Sequence, residues 1–260
     1  MPHKFGINSP PSVKHISRKA FFKHALEHVF KVYGIYRTYI HIYPSKSERI
    51  NILNRIDWHT IFYQENGTKR AVINVLIVII NVFIWCILEL FGDTMNGLYI
   101  LRYGGMYPDL LLYQNEWYRL FTAMFLHFGA QHLANNMILL AAAGGILERS
   151  IGSIRYLIIY LGSGIIGNML SFYIMVRTDD YAICAGASGA VFGMIGALVW
   201  TAIRNKGRIE GITTKGLLFM IALCLYYGIT TSGIDNWAHT GGAVSGFFLC
   251  ILLYRKRRYA

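Results

Sequence analysis

Charge is scarce in this chain, and the little it has is mostly of one sign. Only 15% of its 260 residues are Asp, Glu, Lys or Arg, against 55% apolar residues, with 25 basic and 13 acidic side chains. So low a charged fraction argues against a chain kept in solution by a charged surface; with a positive mean hydropathy it matches an integral membrane protein. Cysteine is also sparse. Cys86, Cys184, Cys224 and Cys250 form no CxxC and no paired pattern, which argues against a disulfide framework and leaves buried, inert thiols as the expectation. No HExxH occurs, so the two-histidine motif of helix-borne zinc proteases is missing. A cleavable leader is not expected either, because the first strongly apolar stretch begins only at residue 71.

What the sequence does have is long, weakly charged stretches. Six of them, residues 71–91, 130–149, 156–176, 184–203, 216–232 and 237–254, are each about the length a helix needs to cross hydrocarbon at roughly 1.5 Å per residue. An even number of spans puts both termini on one side. Of the Lys and Arg residues, twelve precede residue 71, two (Arg149 and Arg155) lie at the turn from the second stretch to the third, four in residues 204–215 and four in 255–258. Only Arg102, Arg119 and Arg177 remain for the opposite side, so the positive-inside rule places both termini in the cytoplasm of a multi-pass cell-membrane protein. The net charge of +12 is accounted for by this topology and by attraction to anionic lipid, with no nucleic-acid partner implied.

The expected organisation is a cytoplasmic region 1–70, a membrane region 71–254 and a basic tail 255–260. In the first, Phe22, Leu26, Val29, Phe30 and Tyr33 recur at helical spacing, as in a membrane-surface helix or one wall of a small domain, and residues 36–43 read as a short strand. The segment 92–129 carries Tyr99, Tyr103, Tyr107, Tyr113, Trp117 and Tyr118, a density that suits the headgroup level of the outer leaflet. Its end, 120–128, reads as interfacial or partly re-entrant.

Three of the nine histidines, His127, His132 and His239, fall in the membrane region. An ionisable group there is costly enough to mark a functional site. Stretches two, four and six enter from the same side, so His132, Asn136, Ser188 and His239 share a depth of roughly 3 to 10 Å. His132 and Asn136 stand at i and i+4 and face one way. A serine nucleophile needs a base, which His239 could be; an acyl-transfer intermediate needs oxyanion donors, which His132, Asn136 and the Ser188 N–H could supply. No Asp or Glu lies at that depth in the three stretches, so a Ser-His dyad is expected rather than a triad. Gly186, Gly189, Gly193 and Gly196 are expected to face Ala238, Gly242 and Gly246, small-residue rows that let two helices approach closely.

Together these residues resemble the rhomboid family of intramembrane serine proteases. The resemblance runs over about residues 71–254 and joins several motifs: GxSG at Gly186-Ala187-Ser188-Gly189, AHxxG-type at Ala238-His239-Thr240-Gly241-Gly242, and HxxxN at His132 to Asn136. His127 lies five residues before His132, a WR-type element is seen in Glu116-Trp117-Tyr118-Arg119, and a Glu before Gly in Glu148 to Gly152. Phe192 stands where the family often has a tyrosine that stacks on the catalytic histidine. The resemblance implies an all-α, six-transmembrane-helix bundle with Ser188 as nucleophile and His239 as base. It also implies His132, Asn136 and the Ser188 N–H around the oxyanion, and His127, Phe192, Gly186, Gly242 and Arg119 as supporting residues. It implies no cofactor or metal, transmembrane proteins as substrates, a fifth helix acting as a gate, and a bacterial-type plasma membrane as the location. Two alternatives stand beside this: a catalytically silent relative that binds transmembrane helices, and a metallohydrolase with His127, His132 and His239 on zinc.

Overall fold

In the computed structural model, residues 70–254 apart from Ser232 are described. The expectations for the helix and strand before residue 70 and for the tail 255–260 lie outside the described residues. The first helix among the described residues, α1 (Val72–Phe91), has no side-chain cap of its own. Its first turn is instead satisfied from far along the chain: the Glu148 carboxylate accepts from Ile73 N at 3.1 Å and Asn74 N at 2.7 Å, and also from Ser153 Oγ at 2.6 Å. A negative group at a helix N-terminus meets both the unpaired N–H groups and the positive dipole end. Glu148 is buried, so Glu148→Gln, which removes the charge and sets an amide against an N–H donor, is expected to cost about 3 kcal/mol. A fall in thermal unfolding midpoint in detergent micelles would register it.

The segment after α1 is built of short helices, α2 (Gly97–Arg102), α3 (Pro108–Gln114) and α4 (Arg119–Thr122), followed by a 3-10 turn, Ala123–Phe125. Asn96 caps α2 by accepting from Leu98 N and Tyr99 N, and Pro108 opens α3. Arg119 staples this region: its guanidinium donates to the carbonyls of Leu101 (2.6 Å) and Gly105 (2.8 Å) and pairs with Glu116. The aromatic residues are tied inward as well, with Tyr99 Oη donating to Leu88 O and Trp117 meeting Phe172 edge-on. Residues 120–128, expected as interfacial or re-entrant, are α4, the 3-10 turn and an extended end.

The second expected span is α5 (Gly129–Leu139) and α6 (Gly145–Ile151), joined by a π-helical turn, Leu140–Gly144. The π turn lies where Asn74 of α1 reaches the Ala141 carbonyl and Tyr156 Oη donates to Asn74 Oδ1. Gly152, with φ +90°, turns the chain directly into α7 (Ser153–Thr178). Next come α8 (Ser188–Arg204), a hairpin of β1 (Arg208–Ile209) against β2 (Ile212–Thr213), α9 (Thr214–Thr230) and α10 (Asn236–Leu253). Helix α8 is the centre, with thirteen of its seventeen residues buried, as expected of a helix apolar on every side. By contrast α9 buries only Leu217 and Gly228.

All six expected spans are helical for most of their length. Among the described residues α1 and α7 are long and apolar enough to cross a membrane, α8 and α9 are apolar but shorter, and the second expected span carries a π-helical turn. The fourth span differs most: residues 184–187 are not helical, and Cys184 instead pairs in antiparallel fashion with Met106. The apolar stretch counted from residue 184 puts Ser188 in a second turn, whereas the resemblance implies a short fourth helix starting at Ser188; Ser188 is the first residue of α8.

Candidate active site

Helices α8 and α10 meet through their backbones. A Cβ on Gly242 would run into the Gly189 carbonyl, one on Gly246 into the Gly193 carbonyl, and one on Gly196 into the Ala243 carbonyl. Small residues alone permit this approach. Gly189 also lies beside Ala238, so the residues next along each chain, Ser188 and His239, are brought to one place. Gly186 corrects the expected row. It precedes α8, has φ +147°, and packs against His132 rather than α10.

Ser188 is half-buried at the N-terminus of α8. Phe192, one turn on and on the same helix face, stacks flat on the His239 imidazole, with ring centroids 4.2 Å apart and planes 6° apart. The stacking expected at this position survives the absence of a tyrosine hydroxyl. No hydrogen bond joins Ser188 Oγ to His239 in this conformation, and no described residue hydrogen-bonds His239 Nδ1.

The segment before Ser188 is pinned on three sides. Cys184 exchanges backbone hydrogen bonds with Met106 at 2.9 and 2.8 Å, Gly186 N donates to Ala123 O at 2.9 Å, and Ala187 N donates to His127 Nε2 at 3.3 Å. That last bond ties His127 to the segment before Ser188, and with Nε2 accepting, a neutral His127 ring carries its proton on Nδ1. His132 meets His127 edge-on at 5.2 Å. The point a Cβ would occupy on Gly186 lies 2.9 Å from His132 Nε2 and 3.7 Å from Ser188 Oγ, so the glycine keeps a small space open between imidazole and hydroxyl. Asn136 is buried one turn further along α5, its Nδ2 donating to the His132 carbonyl at 3.0 Å. Among the described residues no three His, Cys, Asp or Glu side chains form a group that could hold a metal ion.

Two contacts near the site were not anticipated. Asn168 of α7 donates to Leu120 O at 2.8 Å, tying the segment after α1 to the core. Asp235 caps α10 through Ala238 N and accepts from Ser171 Oγ of α7 at 2.5 Å. Asp235 lies just outside the sixth apolar stretch; the cue was an N-cap residue type directly before an apolar run.

The Rhomboid domain model matches residues 114–256. Rhomboid protease GluP of Bacillus subtilis (strain 168) is 34% identical over 189 residues, 73% of this chain and 36% of GluP. YdcA of the same organism is 35% identical over 172 residues, 65% of this chain and 80% of YdcA. RHOMBOID-like protein 1 of Arabidopsis thaliana is 34% identical over 170 residues, 63% of this chain and 41% of that protein. The chain thus spans well under half the length of GluP and of the Arabidopsis relative.

Proposed function

The chain belongs to the rhomboid family, whose members are embedded in membranes and whose proteases act on membrane-protein substrates, and from that premise we propose that it is an intramembrane serine endopeptidase working with a Ser188–His239 dyad. The observation that carries the reading is the stack of His239 on Phe192, one turn from Ser188 at the open end of α8. A serine hydroxyl is a weak nucleophile until a base takes its proton. His239 takes that proton as Ser188 Oγ attacks the scissile carbonyl, then gives it to the departing amine; water repeats the cycle on the acyl-enzyme. The developing oxyanion falls in the space that Gly186 keeps open, where His132 Nε2 faces it and the Ser188 N–H and Asn136 amide add donors. The N-terminus of α8 contributes its partial positive charge to the same place.

The proposed substrates are transmembrane segments cut near the outer face, after a small residue. A peptide bond inside an intact helix is shielded by its own turn, so a segment with helix-weakening residues such as glycine reaches the site more easily. Six crossings of a bacterial-type plasma membrane, with region 1–70 and tail 255–260 cytoplasmic, complete the proposal. Helix α9, with only two buried residues, is the element best able to move as the gate.

The test presents a panel of transmembrane segments to the detergent-solubilised protein, with one arm treated with a serine-reactive phosphonate and one with a strong chelator. Mass spectrometry is expected to find one cut site that the phosphonate abolishes and the chelator leaves alone. A protein that neither cleaves nor takes up the phosphonate would be the silent relative instead.

A further inference from the structure

We infer that Asp235 is a positioning residue for His239, holding the first turn of α10 against α7 through Ser171; the inference rests on His239 being the general base. In a triad, a carboxylate on Nδ1 sets the histidine ring. Here no described residue hydrogen-bonds that atom. The ring is set by its stack on Phe192 and by where the start of α10 lies.

Asp235 fixes that start with three oxygens. Oδ1 accepts from Ala238 N at 2.9 Å, the backbone carbonyl accepts from His239 N at 3.1 Å, and Oδ2 accepts from Ser171 Oγ at 2.5 Å. The first two shape the turn that carries His239; the third ties the turn to another helix. Ser171 is almost fully buried and donates its hydroxyl to Asp235, so this tie crosses between elements 64 residues apart in sequence. Cys184, at the head of the segment leading to Ser188, lies beside both residues. The pair therefore stands where α7, α10 and the nucleophile's segment meet. Asn236 makes the corresponding tie on the other flank, donating to Leu225 O of α9 at 3.1 Å, and leaves Asp235 as the link to the rigid core.

The experiment measures kcat, KM and the rate of phosphonate labelling at Ser188 for the full chain and for Asp235→Ala, Asp235→Asn, Ser171→Ala and the Asp235→Ala/Ser171→Ala double variant. Displacing a catalytic group by about 1 Å can cost 100-fold, so Asp235→Ala is expected to lower kcat and labelling about 10- to 100-fold, with KM within about twofold. Asp235→Asn, whose amide can still accept from Ala238 N and donate to Ser171 Oγ, recovers most of the rate. Ser171→Ala shows part of the loss and adds nothing in the double variant. Wild-type labelling by Asp235→Ala, a loss that only follows the folded fraction, or additive single losses would overturn the inference. If Asp235→Ala does not fold, Asp235→Asn and Ser171→Ala decide it: near-wild-type rate in the first with a partial loss in the second supports the tie, and any other pattern overturns it. A wild type that takes no label overturns the protease reading and this inference with it; a labelled wild type with indifferent variants overturns the inference alone.

Discussion

Replacing His239 with alanine is expected to stop cleavage as fully as replacing Ser188, and replacing both is expected to cost no more than either alone. Each loss should be about 10,000-fold or more, because the two side chains perform one step: the hydroxyl has no useful nucleophilicity without the base, and the base has nothing to deprotonate without the hydroxyl. The arrangement that leads to this expectation is local and specific. His239 lies flat on Phe192, and Phe192 and Ser188 project from the same face of α8 one turn apart. Cleavage of a transmembrane reporter by purified variants, compared at equal folded fraction, supplies the three numbers. Losses that multiply in the double variant would mean that the residues act separately, and a His239→Ala protein within tenfold of wild type would remove the imidazole from the mechanism. What activity remains in all three variants reports the contribution of the oxyanion donors and binding.

The helices and the residues of the candidate site are legible in the sequence because each rests on a short-range signal. Apolar length gave α1 and α7 within three residues at either end, and the i, i+4 spacing of His132 and Asn136 survives in α5. What escaped depends on partners distant in the chain. Residues 184–187 are small and apolar and read by apolar length as the start of a helix, but the bonds of Cys184 to Met106 and of Gly186 to Ala123 keep them out of it, and α8 begins at Ser188. Gly186 was grouped with the packing glycines by spacing alone; only its φ of +147° and the nearby imidazole give it a different task. Glu148 was visible as a motif, yet its role needs the first turn of α1, more than 70 residues earlier, to fold against it. Asp235 escapes a count of depth inside the apolar stretches because a helix cap lies outside the run it caps.

Gly242→Ala should damage cleavage more than any other added methyl group between α8 and α10. The added carbon would meet the carbonyl oxygen, carbonyl carbon and Cα of Gly189, all backbone, so no rotamer change relieves it and α10 must move away from α8. Overpacking of this kind costs about 1 to 3 kcal/mol, and a contact made wholly with backbone belongs at the upper end. The activity loss should exceed the stability loss. Gly189 follows Ser188 directly and Gly242 lies three residues after His239, so the same displacement lengthens the path between hydroxyl and imidazole, where about 1 Å can cost 100-fold. Gly246→Ala, which strikes Gly193 one turn further from the pair, should destabilise by the same route with a smaller effect on rate. Gly162→Ala is the matched control: its methyl would meet only the Leu249 Cδ1 atom, the free end of a side chain that can turn aside. Thermal unfolding midpoints in micelles, with cleavage rates taken below every midpoint, separate the two effects. A Gly242→Ala protein that melts and cleaves like wild type would mean that α8 and α10 have slack between them, and Ser188 and His239 would then owe their proximity to something other than the glycines.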